Sequence, residues 1–350
     1  MTLVLFIAVL VLAFGRVMKA SKSVQVAVLV ILFGAVFAIQ IGLPEQSELR
    51  QATGGSVQSW VILIVLLGVI SLYTFVIKGL KSKAHTATAP QQDGPFSARE
   101  LDRYARHIVL REIGGAGQQR LKSARVLVVG AGGLGSPLML YLGAAGVGTI
   151  GVVDDDTVSL SNLQRQVLHS EERVGMAKVF SAQLALSKLN PFVTVLPYRR
   201  RLSGENARDL LEGVDLVLDG SDNFATRYLV NETCVALGLP LIAGAISQWE
   251  GQLSLYHPQE GGPCYACVFP TAPAEGLAPS CAEAGVMGAL PGVVGSMMAV
   301  EAIKFITKAG EPLLGNMLIY DSLYGENRKM RTERRPDCPV CSVGGRRRKA

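Results

Sequence analysis

Hydrophobic positions along this chain fall into two regimes. Before residue 80 they form long unbroken runs: Met1 to Phe14, Val24 to Leu43 and Trp60 to Ile77, with no charge in the last two. From Ser97 onward they recur at strand or helix spacing, separated by polar and glycine-rich turns. A bilayer core of about 30 Å takes about 20 apolar helical residues, so the second and third runs predict membrane-spanning helices. The first run is shorter and predicts a tilted span or a helix lying in the interface. A secretory signal would open with positive charge, whereas Arg16, Lys19 and Lys22 follow the first run, so cleavage is not expected.

Residues 81–96, made of Ala, Thr, Gln and Pro with few large apolar side chains, predict a linker. The segment beyond reads as a helix over Arg99 to Arg111. A strand over Arg125 to Val129, a glycine turn, an apolar helix and a strand over Thr149 to Val153 follow. Gly175 to Leu189 is amphipathic at helical spacing and stops at Asn190-Pro191. Val193 to Leu196 and Val214 to Leu218 read as strands, Asn231 to Gly238 closes a helix, and Leu239 to Ala243 is a fifth strand. This alternation predicts an α/β class: a Rossmann-like, mostly parallel sheet with helices on both faces. After Gly251 strands come without intervening helices. A helix around Gly292 to Thr307 and a strand over Met317 to Tyr320 complete a β-rich C-terminal extension. The expected division is therefore a membrane segment over 1–80 with two or three transmembrane helices, a linker over 81–96, a globular α/β domain over 97–342 and a basic tail over 343–350.

Charge adds an orientation. Positive loops stay cytoplasmic, and the basic flanks are Arg16, Lys19 and Lys22 on one side and Lys78, Lys81 and Lys83 on the other. Residues 15–23 and everything after Lys78 are expected inside, and 44–59 outside. The expectation is a multi-pass inner-membrane protein with its globular domain in the cytoplasm. The net charge of +6 is partly accounted for by these flanks and by Arg346 to Lys349, a tail that fits anionic lipid or a solvated end. No basic stripe carries interleaved aromatics, so nucleic acid is not an expected partner.

Candidate chemistry begins at Gly130, Gly132, Gly133 and Gly135, which follow a strand and open a helix. Glycines there permit a tight turn and close backbone approach, and the helix start favours an anion. Asp154 ends the next strand, the place for a carboxylate on ribose hydroxyls. The turn itself does not choose between NAD and ATP. Arg165, Lys178 and Asp222 do: Arg165 follows Asp154 closely, Lys178 lies at the start of the next helix and Asp222 ends strand four. Strand C-terminal ends share one crevice in an open parallel sheet, so these residues can converge on a ligand. Two cations and an acid that can hold Mg²⁺ suit phosphoryl or nucleotidyl transfer and give a dehydrogenase nothing. Taken singly, Arg165 and Lys178 are more often solvated surface charges; placed together, they favour function.

There are six cysteines. Cys264/Cys267 and Cys338/Cys341 form two CxxC pairs, which predict a tetrahedral Cys₄ zinc site of structural type; a redox pair is the alternative. Cys234 falls on a helix and reads as core. No histidine is assigned to chemistry.

Asp154 to Gln166, in the pattern DxDxVxxSNLQRQ, resembles the signature of the ThiF/MoeB/HesA family, relatives of ubiquitin-activating enzymes. RYxRHIVL from Arg103, VGMAK, DGSDN, EGQLSLY, CYAC, CAEAGVMG and CPVC extend the resemblance over about Ser97 to Cys341. The N-terminal membrane segment is no part of that family's usual core. The resemblance implies ATP-dependent adenylation of the C-terminal glycine carboxylate of a ubiquitin-like sulfur carrier, ThiS- or MoaD-like with a Gly-Gly end, for thiamine or molybdopterin synthesis. It implies Asp154 on the ribose, Arg165 and Lys178 at the phosphates, Asn162 helping to position them, and Asp222 on Mg²⁺. It also implies a homodimer in which Arg106 reaches the partner's ATP site. Cys281, in Ser280 to Gly285, takes the place of a cysteine that in part of the family joins acyl transfer to sulfur and in part is dispensable; a buried core thiol is the alternative. No rhodanese-like extension follows Cys341, so a separate sulfur donor is expected. Competing readings are a tRNA-modifying dehydratase of the same superfamily, a membrane NAD-dependent oxidoreductase and a scaffold without activity. The intact Arg165, Lys178 and Asp222 set, the NLQRQ form and the paired CxxC favour the carrier-activating enzyme.

Overall fold

The computed structural model describes residues 2–18, 22–44, 46–54, 56–86, 94–273 and 284–342. They belong to two compact units, Met1–Asp93 and Gly94–Ala350.

The three apolar runs of the first unit are all helical: α1 (Thr2–Val17), α2 (Lys22–Gly42) and, after a short α3 (Glu48–Thr53), α4 (Val57–Thr86). Val4, Val36 and Trp60 are buried between them, with Phe33, Phe37 and Leu63 packed alongside. Polar bonds tie down the turn between α2 and α4. Gln40, fully buried, donates to Thr53 Oγ1 at 2.8 Å, and Trp60 Nε1 donates to the Gly54 carbonyl at 2.9 Å. Val30, Ile31, Ile62, Val65 and Val69 are exposed on the outer faces, an apolar surface that water solvates poorly. α4 continues through Thr86, into the segment read from sequence as linker. No Gly or Pro interrupts it after Leu80 until Pro90, so nothing stops the helix at 81. The apolar stretches Phe6–Gly15, Ala27–Gly42 and Trp60–Thr74 each count 10–17 residues. Among the described residues, the helix that meets span length and composition is Leu290–Thr307, and half of it is buried inside the second unit.

The second unit opens with α5 (Ala98–Ile108), begun by a capping box in which Ser97 and Glu100 bond each other's backbone amides, and α6 (Gly114–Ser123). Then come β1 (Arg125–Val129), α7 (Gly135–Ala145), β2 (Thr149–Val153), α8 (Lys178–Leu189), β3 (Thr194–Tyr198), α9 (Ala207–Leu211) and β4 (Leu216–Asp219). The chain goes on through α10 (Phe224–Leu237), β5 (Leu241–Ile246), β6 (Glu250–Tyr256), α11 (Tyr265–Val268), α12 (Leu290–Thr307), β7 (Asn316–Asp321) and β8 (Glu326–Arg331). One sheet takes the order β3-β2-β1-β4-β5-β6-β7-β8. β1 to β5 are parallel and β5 to β8 antiparallel.

β1 lies inside the sheet and is buried on both faces, which is why it reads as an unbroken apolar run. Val126 and Val128 face a core built with Leu138 and Leu142 of α7, Leu186 of α8 and Met298 of α12. Leu127 and Val129 face the opposite core, with Leu211, Val230 and Tyr256. Cys234 belongs to that second core, and burial raises its thiol pKa. Pro197 is tolerated because β3 is an edge strand.

Candidate nucleotide site and cysteine cluster

The parallel strands β1, β2 and β4 end on one side of the sheet, and their loops wall a cavity of about 1150 Å³. Gly130 turns the chain out of β1 at φ +93, a region that favours glycine, and a side chain there would come 3.2 Å from the Gly220 carbonyl. Gly135 lies deeper: a Cβ would sit 2.0 Å from the Gly130 carbonyl oxygen, so it serves the turn's packing rather than the cavity wall. Gly132 and Gly133 line the cavity. α7 begins with no side-chain cap; Ser136 N already bonds the Gly132 carbonyl at 2.9 Å and Pro137 has no N–H, so an anion there would meet the amides of the glycine turn that precedes the helix.

Asp154 ends β2 as expected. Its Oδ2 accepts from Ala131 N at 2.7 Å and its Oδ1 from Asp156 N at 2.8 Å. Burial pushes this carboxyl up from its ordinary value, against the pull of Lys178 and the two amides. An antiparallel bridge between Thr157 and Ala177 closes the loop that follows β2 and sets Lys178 at the start of α8. Lys178 Nζ is thereby held 2.7 Å from Asp156 Oδ2. Arg165 lines the same cavity, and its Nη2 donates to Asn162 Oδ1 at 2.8 Å. Asn162 is outside the wall and acts on Arg165. Asp222, on the loop after β4, is an exposed carboxylate on the wall. The structure therefore brings Gly130, Gly132, Gly133, Asp154, Arg165, Lys178 and Asp222 together. Arg106 is exposed on α5 and is not among the cavity residues of its own chain. Cys281 and the basic tail lie outside the described residues.

Sequence reading missed Arg200, Arg201, Arg227 and Arg328 on the same wall. The first two follow β3 directly, so the strand-end rule that found Asp154 also covers them. Arg227 is buried and donates to the carbonyls of Gly244, at 2.9 Å, and Ser221, which fastens the Asp222 loop to β5. Gln166 Oε1 and Ser221 Oγ are buried on the cavity wall without a protein partner. The Ser221 hydroxyl can donate to a phosphate oxygen, and Gln166 Oε1 can accept from a nucleoside hydroxyl or amine; with the bare glycine turn and the cations, they fit a nucleoside triphosphate.

The four paired cysteines converge over a long stretch of chain. Sγ separations are 3.7 Å for Cys264–Cys267, 3.6 Å for Cys264–Cys338 and 3.4 Å for Cys267–Cys341, and all four ligand atoms lie within 4.8 Å of one another. A tetrahedron with Zn–S bonds of 2.3 Å has edges of about 3.8 Å, whereas a disulfide needs about 2.05 Å, so the cluster has the size of a zinc site. All four are buried. The Cys264 thiol and the Arg335 amide hold the Cys267 thiol well below its ordinary value, while contact with Cys267 and burial push Cys264 and Cys341 up.

A nucleotide turn at strand ends, ringed by cations and an acid and joined to a zinc-sized Cys₄ cluster, defines the class of α/β nucleotide-dependent transferases. The ThiF family model matches residues 104–340, and the chain belongs to the ThiF family. The sulfur carrier protein adenylyltransferase of Thermus thermophilus is 54% identical over 250 residues, covering 70% of this chain and 92% of that protein. The probable adenylyltransferase/sulfurtransferase MoeZ of Mycobacterium tuberculosis is 49% identical over 247 residues, 70% of this chain and 63% of that one. Among solved structures, E. coli MccB with ATP has a TM-score of 0.58 at 27% identity, covering 65% of this chain and 69% of that chain. The chain is an enzyme of the adenylyltransferase type.

Proposed function

We propose that this protein adenylates the C-terminal glycine carboxylate of a ubiquitin-like sulfur carrier, ThiS- or MoaD-like, in the service of thiamine or molybdopterin synthesis. The carrier carboxylate oxygen attacks the α-phosphorus of ATP, the bond from that phosphorus to the bridging oxygen breaks, and acyl-adenylate and pyrophosphate result. The observation that carries this reading is the convergence of Arg165, Lys178 and Asp222 on the glycine-turn cavity. The name of the Thermus relative supports the choice of acceptor.

Each residue has a physical task. Asp154, held by two backbone amides, receives the ribose hydroxyls. Arg165, braced by Asn162, and Lys178 offset charge as it moves from the α-phosphate to the leaving pyrophosphate. No protein nucleophile is required, since position and electrostatics carry the step. Mg²⁺, held by Asp222, supplies further charge neutralisation on the phosphates. Zinc on Cys264, Cys267, Cys338 and Cys341 fastens the C-terminal segment to α11 and takes no part in the chemistry. Arg106 completes the site of a partner copy in a homodimer. The N-terminal helices hold the enzyme at the inner membrane with this unit in the cytoplasm; their exposed Val30, Ile31, Ile62 and Val69 support that placement.

Exchange of labelled pyrophosphate into ATP tests the acceptor. Exchange with a carrier ending in Gly-Gly, and none with tRNA or without acceptor, is expected. Exchange that runs on tRNA, or only without a carrier, would sink the reading.

A further inference from the structure

We propose that His169 is a positioning residue for adenylation, fixing the peptide that presents the Gly132 amide to the nucleotide phosphates. The inference rests on the nucleotide reading of the cavity and is independent of which acyl acceptor the enzyme uses.

His169 is buried behind the glycine turn. Its Nε2 lies 2.9 Å from the Ala131 carbonyl oxygen and its Nδ1 2.8 Å from Ser181 Oγ on α8. A carbonyl only accepts, so Nε2 carries the proton, and the neutral ring accepts at Nδ1 from the Ser181 hydroxyl. Burial lowers the His169 pKa, which agrees with a neutral ring. Ser181 Oγ accepts in turn from Arg173 Nη1 at 3.1 Å, and the same Nη1 donates to the Ser181 carbonyl at 2.6 Å. A chain of donors thus runs from Arg173 through Ser181 and His169 to the turn.

The consequence lies in the peptide plane. The Ala131 carbonyl and the Gly132 N–H belong to one trans peptide and point in opposite directions. Holding the carbonyl inward on the imidazole turns the Gly132 N–H outward, and Gly132 lines the cavity. On the other side of Ala131, its own N–H is held by Asp154. Gly132 and Gly133 have the conformational freedom to let this peptide flip. His169 removes that freedom, so the phosphate meets an amide already oriented. Any buried imidazole needs partners for both ring nitrogens; packing does not explain why one of them is the Ala131 carbonyl of the turn.

Equilibrium binding of ATP and of adenosine to the full-length protein separates positioning from general support. Adenosine lacks the phosphates that the Gly132 amide meets. His169→Phe is expected to weaken ATP about tenfold and adenosine less than about twofold, the size of one lost charge-assisted bond. His169→Gln keeps an N–H donor near the Nε2 position and is expected to restore ATP binding to within about threefold. Ser181→Ala removes the hydroxyl that orients the ring, and about a threefold loss confined to ATP is expected. Equal losses of ATP and adenosine, or a Gln variant no better than Phe, would overturn the proposal. If the Phe variant does not fold, the Gln and Ala variants decide by the same ratio. No ATP binding by the unaltered protein would overturn the nucleotide reading, and this inference with it.

Discussion

The Lys178 ammonium lies 2.7 Å from Asp156 Oδ2, with the lysine side chain 5% exposed and the carboxylate 68% exposed. The pair is asymmetric: the buried cation depends on the acid, and the solvated acid depends little on the cation. Lys178→Ala is therefore expected to slow ATP–pyrophosphate exchange about 10²- to 10³-fold, the usual cost of one preorganised charge at developing phosphate charge. Asp156→Ala leaves the ammonium in place with its position loosened, and about a tenfold loss is expected. Steady-state exchange rates check the order. An Asp156 variant as damaged as the Lys178 variant would give Asp156 a role at the phosphates themselves.

Why Lys178 was legible in the sequence, and β8 less so, follows from the burial of the strands around them. β1 and β2 are enclosed on both faces, so their apolar runs match the observed strands residue for residue, and the strand-end rule then placed Asp154, Lys178 and Asp222. β8 is exposed throughout and carries Glu326, Arg328, Lys329 and Arg331, so no alternation announces it. Charges on an edge strand are instead what keeps it from pairing further. α6 begins with Gly114-Gly115, poor helix formers, and a Cβ at Gly117 would come 2.9 Å from Ile113 Cγ2. Its helicity comes from packing on α12 and not from local propensity. The cysteine cluster was legible because CxxC spacing states its chemistry, whereas the His169 bonds depend on a fold that joins residues from three separate segments.

Removing the metal tests the cluster. Metal analysis is expected to find about one zinc per chain, and Cys338→Ser to lose it. Because Cys338 and Cys341 close on Cys264 and Cys267, metal loss frees residues near the chain's C-terminal side from α11. Chelation is expected to lower Tm by about 5 °C or more. Full thermal stability in a metal-free preparation would leave the four thiols as simple core residues.

Glu100 gives a pH test of stability. Burial pushes its carboxyl up, but the bonds from Lys122 and from the Ser97 amide and hydroxyl outweigh that, and the net shift is below the ordinary value of 4.5. A carboxyl lowered in the folded state contributes stability that is complete above its unfolded pKa and fades as pH falls through the folded one. Glu100→Gln is expected to cost about 1 kcal/mol at pH 7, as for a lost helix cap. Thermal melts of both proteins from pH 7 downward check this. The difference should shrink below about pH 4.5; a constant difference would show that charge is not what Glu100 contributes.

The helical unit predicts membrane behaviour. The full-length protein is expected in the carbonate-resistant membrane fraction, and a C-terminal tag to be reached by a probe only after the inner membrane is opened. Removing residues 2–86 is expected to move the enzyme to the supernatant. A full-length protein extracted by carbonate would mean that the apolar faces of α2 and α4 are covered by protein and not by lipid.

Arg106 is the residue that a single chain leaves unexplained. It is exposed on α5 and absent from its own cavity wall, while the resemblance that drew attention to it assigns it to the site of a partner. Trans action makes a sharp prediction through complementation. Arg106→Ala and Lys178→Ala variants are each expected to be nearly inactive alone. When the two are co-expressed and pair at random, half of the dimers are mixed. In a mixed dimer the Arg106→Ala subunit keeps its own Lys178 and receives Arg106 from the Lys178→Ala subunit, so one of its two sites is intact. Recovery of about a quarter of unaltered exchange activity is expected. If Arg106 acted within its own chain, a mixed dimer would hold two defective sites and co-expression would recover nothing. Recovery well above a quarter would instead show that one of the two single variants retains activity, which the separate assays measure directly.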